Sequence, residues 1–184
     1  PYDIVLTNTT TTQVYTVNGV GSFIFTGLSA GNFTIDITDA GGCVLNDTEV
    51  LVQPVPITAD ITATPTALAC YGDTNAEVTA INVAGGEGSY LYILNIYDAS
   101  GTTIDFSSGA QSSPTFTGLG AGIYSITVTD GWNCDVETVQ VTITEPTEVV
   151  SSLVQTTMLT CTNNAQLMLF ASGGTGPYEY STDG

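Results

Sequence analysis

Apolar and polar residues alternate along most of this chain with a period of two, and helical periodicity is nearly absent. Within residues 122–129, Tyr124, Ile126 and Val128 fall on one face, and Ser125, Thr127 and Thr129 on the other. The same pattern predicts strands over 57–63, 77–83, 90–97, 102–106, 113–117 and 139–143. DASG at residues 98–101 supplies a turn between two of them. About seven short strands in about 90 residues, separated by turn signals, predict an immunoglobulin-like β-sandwich.

The pattern is written more than once. Residues 116–134 read FTGLGAGIYSITVTDGWNC, and residues 25–43 read FTGLSAGNFTIDITDAGGC. Phe25 and Phe116, Cys43 and Cys134, and Cys70 and Cys161 are separated by one common interval of about 90 residues. GGEGSY ending at Tyr90 and GGTGPY ending at Tyr178 repeat at a slightly shorter interval, with Pro1-Tyr2 in step with Pro177-Tyr178. The intervals agree if the loop between Tyr90 and Phe116 carries about three extra residues. A stretch written twice points to scaffold, since a unique active site needs no copy. The expected fold class is all-β, with tandem immunoglobulin-like β-sandwich modules of about 90 residues. Residues 1–55 read as the C-terminal part of one module, 56–147 as a complete module and 148–184 as the N-terminal part of the next. A longer parent chain, or repeating subunits joined end to end, is the expectation. Short linkers around Pro54 and Pro56 (QPVPIT) and around Pro146 (TEPTEV) predict extended, semi-rigid junctions.

Composition then removes whole classes of function. The chain has no Lys, Arg or His against 18 acidic residues, a net charge of −18. No salt bridge between side chains can form, so stability must come from burial and hydrogen bonds. The surface repels itself and attracts divalent cations. Nothing is present to hold a phosphate backbone or an anionic lipid surface. A Ser-His-Asp triad, a lysine Schiff base and a His-ligated zinc site are all excluded. No apolar run is long enough to span a membrane as a helix. An enzyme would have to use a carboxylate pair, a thiol or a hard metal. The acidic residues mostly do not recur between copies, so no catalytic site is expected.

Four groups of residues remain as candidates. An even cysteine count per module points to an oxidising compartment and a Cys70–Cys134 bridge, with Cys43 and Cys161 paired outside the chain. Closing a loop of roughly 65 residues would stabilise the module by roughly 4 kcal/mol. Asp39 and Asp130 recur after the repeated strand; each reads as an Asx turn or as a calcium ligand, helped by Asp73 or Asp135. Calcium is the one cofactor the sequence leaves open. Tyr124, with Gly118 and Gly122 before it, suits a tyrosine corner; its counterpart is Phe33, so ring packing is the shared requirement. Trp132, the single tryptophan, is expected to pack on a neighbouring module or the bridge, or to stack on a glycan. Asn8, Asn32 and Asn46 begin N-x-Ser/Thr sequons, and Asp47-Thr48 and Asp73-Thr74 resemble bacterial O-glycosylation dipeptides.

CYGDTNA from Cys70, GGEGSY, FTGLGAGIYSITVTDGWNC and VTITEP together resemble the SprB repeat family of very large Bacteroidota cell-surface adhesins. The resemblance covers the complete module and the parts present of the other two. The first copy departs from it at Phe33 and in reading GGC where the second reads WNC. The resemblance implies secretion to the cell surface by the type IX route, a tandem array forming a long filament, and a role in adhesion and gliding motility. It brings no catalytic residues. The expected partners are adjacent repeats and surface glycans. The rival readings are a pilus-like subunit of a non-covalently assembled extracellular filament, and a carbohydrate-binding module.

Overall fold

A computed structural model describes residues 1–181 of the chain. Among these the protein is all-β, and no segment is helical. The chain divides into two compact units, Pro1–Val55 and Pro56–Gly184.

The first unit is one antiparallel sheet. It contains β1 (Tyr2–Asn8), β2 (Gln13–Val20), β3 (Gly31–Asp39) and β4 (Val44–Leu51), in the order β2-β1-β3-β4. β1 and β3 set Ile4 opposite Ile37, Leu6 opposite Ile35 and Asn8 opposite Phe33. Alternation places these apolar side chains on one face, because a strand turns over at every residue.

The second unit begins with β5 (Thr58–Thr64), β6 (Ala76–Ala84), β7 (Leu91–Tyr97), β8 (Ile104–Ser107), β9 (Thr115–Leu119) and β10 (Gly122–Thr129). It continues with β11 (Asp135–Glu137), β12 (Val141–Ile143), β13 (Val150–Thr157) and β14 (Gln166–Ser172). β5-β6-β9 form one sheet, and β8-β7-β10 form the other, with β11 and β12 both pairing the free edge of β10. The inner faces enclose a core that includes Val78, Leu94, Tyr124, Ile126, Val128 and Ile143. Val78, Ile126 and Val128 have no exposed surface at all. This is an immunoglobulin-like sandwich, and it occupies the residues predicted for the complete module. β13 and β14 form a separate two-stranded ladder.

Three details differ from the sequence pattern. The last strand is split into β11 and β12 at residues 138–140, where the Thr138 hydroxyl accepts from the Ile126 amide at 3.0 Å and replaces a ladder bond. β9 runs on to Leu119, bulging at the positive-φ Gly118 (+76°). Residues 24–28, which repeat the β9 sequence, form no strand, because no counterpart of β6 lies beside them in the first unit.

The ends of the middle module lie at opposite poles. At one pole, the head, the β6–β7 and β10–β11 loops meet the start of β5. A Cβ on Gly85 would lie 2.1 Å from the Pro56 carbonyl oxygen, and one on Gly86 would lie 2.9 Å from Ile57. At the foot, the Thr144 amide donates to the Thr66 carbonyl at 3.0 Å, and the Gly72 amide donates to Glu145 at 2.7 Å. The chain therefore enters at the head and leaves at the foot.

Candidate functional site

The recurring aspartate sits where the repeated strand ends. Asp130 is 4% exposed and closes the β10–β11 turn. Its Oδ1 accepts from the Trp132 and Cys134 amides, both at 2.9 Å, and its Oδ2 accepts from the Glu87 amide at 3.0 Å. The third bond ties the β6–β7 loop to the β10–β11 loop. It requires Gly86, whose Cβ would stand 2.5 Å from Oδ2. Burial alone would raise the Asp130 carboxyl, but the donors on Glu87, Cys134 and Trp132 outweigh it and hold the group below its ordinary range. Asp39 builds the same turn in the first unit, accepting at Oδ1 from Gly41 at 2.9 Å and Cys43 at 2.8 Å. A counterpart of the Glu87 donor is absent there. Both aspartates are thus Asx-turn residues.

Asp73 lies at the foot, accepting from the Cys70 amide at 3.0 Å. A Cβ on Gly120, at the start of β10, would lie 3.4 Å from the Asp73 carbonyl oxygen. Asp73 and Asp130 are therefore separated by the length of β10, roughly 25 Å at the strand rise. The structure does not bring them to one cation. Among the described residues no group of three or more His, Cys, Asp or Glu is placed to hold a metal ion.

The same geometry corrects the expected disulfide. Cys70 is at the foot with Asp73, and Cys134 is at the head with Asp130. A bridge needs Cα atoms within about 7 Å, far less than the length of β10 that separates them. All four cysteines are exposed free thiols. The even count per module carried no information about which pole each cysteine occupies.

Tyr124 is 4% exposed, and its hydroxyl donates to the Gly120 carbonyl at 3.0 Å, fastening the turn before β10. Gly122 lies under the ring, where a Cβ would meet it at 3.0–3.1 Å. Phe33 is 3% exposed and fills the same place in the first unit without the bond. Trp132 is 58% exposed, so its ring packs little against its own module. Of the sequons, Asn32 and Asn46 are exposed, whereas Asn8 is 1% exposed and accepts from the Thr10 and Thr11 amides, which rules it out as a glycan acceptor in the folded chain.

Sequence reasoning missed one polar cluster. On the outer face of the five-stranded sheet, Glu137 accepts from the Ser125 and Tyr97 hydroxyls and from Asn95 at 3.3 Å. Asn95 also donates to Thr127 at 2.9 Å and to Ser125 at 3.2 Å, and it accepts from Ser107 at 2.8 Å. The Ser125 and Tyr97 hydrogen bonds hold the Glu137 carboxyl below its ordinary value despite partial burial. A carboxylate shifted that way is a weak base, and neither Lys, Arg nor His exists in the chain to stabilise a developing anion. The cluster joins β7, β8, β10 and β11. In the first unit Asn46 and Asp36 make the corresponding contact across β3 and β4. The signal was present in the sequence as carboxamide and carboxylate at outward-facing strand positions.

No family model matches the chain, and no curated protein does. Among solved structures, the chain is similar to an amphioxus IgVJ-C2 molecule, at 16% identity and a TM-score of 0.35, over 78% of this chain and 88% of that one.

Proposed function

We propose that the chain is a structural stalk segment of a large, repetitive adhesin filament on the outside of the cell, mediating surface attachment and gliding. The observation that carries this reading is polarity: the middle module takes the chain in at its head and releases it at its foot. Modules joined that way by short Pro-bearing linkers extend in series. The repeated features support the same reading. The aspartate turn, the ring beneath the turn and the strand register all recur. They hold strands and loops together rather than converge on a substrate, which favours a non-catalytic role. A charge of −18 with no cation keeps such fibres soluble and apart. Glycans and adjacent repeats are the partners in this reading.

The test is to treat intact source cells with protease and blot a denaturing, reducing gel for residues 56–147. A band of several hundred kilodaltons that disappears on treatment is expected. A protected band, or one of a few tens of kilodaltons, would overturn the reading.

A further inference from the structure

The first unit has a floor without a cover. In the middle module the inner faces of β7 and β10 are buried under β5-β6-β9. β1 and β3 repeat that floor in register: Ile4 opposite Ile37 matches Tyr92 opposite Val128, and Leu6 opposite Ile35 matches Leu94 opposite Ile126. Ile35 and Ile37 are nevertheless only half-buried. Above them lies a groove of about 590 Å³ lined by Ile4, Phe23, Ile35, Ile37, Val44 and Leu45 among others. Beside it, residues 24–28 repeat the sequence of β9 down to the positive-φ glycine, Gly27 at +69° against Gly118 at +76°. They have no ladder partner.

The β13–β14 hairpin is a cover without a floor. It repeats β5–β6 in detail. Leu153 pairs with Leu169 as Ile61 pairs with Ala80. A Cβ on Gly173 would meet the Glu148 carbonyl oxygen at 1.9 Å, as Gly85 meets that of Pro56. Gly174 lies against Val149 as Gly86 lies against Ile57. The Tyr178 hydroxyl donates to the Gly173 carbonyl as that of Tyr90 does to Gly85. Yet Leu153, Leu167 and Leu169 are 60%, 61% and 45% exposed.

We propose that the open sheet face of the first unit binds the β13–β14 hairpin of a second copy of this chain, completing a sandwich between two molecules. β14 then pairs with residues 24–28 as β6 pairs with β9. The Thr175 amide, in the place of Glu87, donates to the free oxygen of Asp39. Volumes compensate: the bulk lost from Tyr92 to Ile4 returns in Val78 to Leu167 and Ala80 to Leu169. Charge agrees too. Neither residues 4–35 nor residues 149–176 contain an acidic side chain, although the chain carries 18. Two copies that repel elsewhere therefore meet through neutral surfaces. Tyr178 and the residues after it must yield their place to Tyr2 of the acceptor. Each copy has one groove and one hairpin, so the contact is heterologous and propagates head to tail.

Sedimentation velocity on the full chain and three variants tests this. Leu169→Asp disables the hairpin; Ile37→Asp disables the groove, as does Phe23→Asp at an exposed position outside the ladder. Burying an unpaired carboxylate should weaken association at least ~100-fold. The unaltered chain should form a concentration-dependent series, and each variant alone should be monomeric. Mixing Leu169→Asp with either groove variant should give a dimer and nothing larger, with new amide protection at residues 24–28. That dimer also shows that both variants are folded. A monomeric unaltered chain at every concentration, variants that polymerise alone, or a mixture without dimer would each overturn docking. The stalk reading is independent of all three results.

Discussion

Replacing Tyr124 by Phe separates the two things its side chain does. The ring fills the core beside Ile126, and the hydroxyl bonds the Gly120 carbonyl at 3.0 Å. Phe keeps the ring, so the loss is one hydrogen bond. Gly120 is partly exposed, so water can reach its freed carbonyl, and the cost stays near the net value of about 1–1.5 kcal/mol. At about 4–8 °C per kcal/mol for a domain of about 90 residues, the melting midpoint should fall by roughly 5–10 °C. Tyr124→Ala should cost about 3–5 kcal/mol, a large share of the total stability of such a domain. Trp132 is the only tryptophan, so its fluorescence reports the middle module alone in a urea titration of the full chain. If Tyr124→Phe left the midpoint unchanged, the turn bond would be idle and Phe33 would be the complete functional equivalent. If it cost as much as Tyr124→Ala, the partition between ring and hydroxyl would be wrong.

Four further outcomes follow from the same contacts. Glu137 titrates below its ordinary 4.5 in the folded chain, so its contribution is present above that pH and is lost as pH falls through the folded value. Urea midpoints should therefore drop on acidification, and Glu137→Gln should flatten that limb; equal slopes would refute the assignment. Asp130→Ala should speed amide exchange at Trp132, Cys134 and Glu87 while leaving Gly41 and Cys43 unchanged, and exchange rates read by mass spectrometry decide it. Gly86→Ala, with a positive φ of +61° and its Cβ 2.5 Å from Asp130, should cost about 1–3 kcal/mol in the same urea titration; a neutral result would mean the loops move freely. Cys70 and Cys134 should both alkylate in the native chain without reductant, and recovery of a Cys70–Cys134 linked peptide would contradict the placement at opposite poles.

The strands were legible because alternation and burial obey the same period: Tyr124, Ile126 and Val128 face the core as their spacing requires. The Asp39 and Asp130 turns were legible because an Asx turn is local, settled by donors two to four residues on. What failed was long-range. The Glu87 bond to Asp130 joins loops distant in sequence, and no local pattern announces it. The disulfide expectation failed for the same reason. Cysteine spacing along the chain says nothing about poles, and a sandwich sends an early turn and a late turn to opposite ends. The Glu137 cluster escaped because period-two reading assigns outward positions to solvent, whereas Ser125 has no exposed surface there. Side-chain hydrogen bonds among Asn95, Ser125 and Glu137 satisfy that burial.

The absence of cations gives these neutral contacts their weight. With no Lys, Arg or His, every buried carboxylate must be satisfied by amide or hydroxyl donors, and Asp130 and Glu137 both are. Those donors fall where a serial fibre would be strained. Asp130 joins two loops at the head, beside the incoming chain at Ile57. At the foot, the outgoing Thr144 bonds Thr66 and Leu68 side by side in parallel. Tension applied between head and foot must therefore slide strands past one another, breaking several bonds together, rather than peel them one at a time. The polarity of one module and the strength of its ends are in this way consequences of the same short contacts.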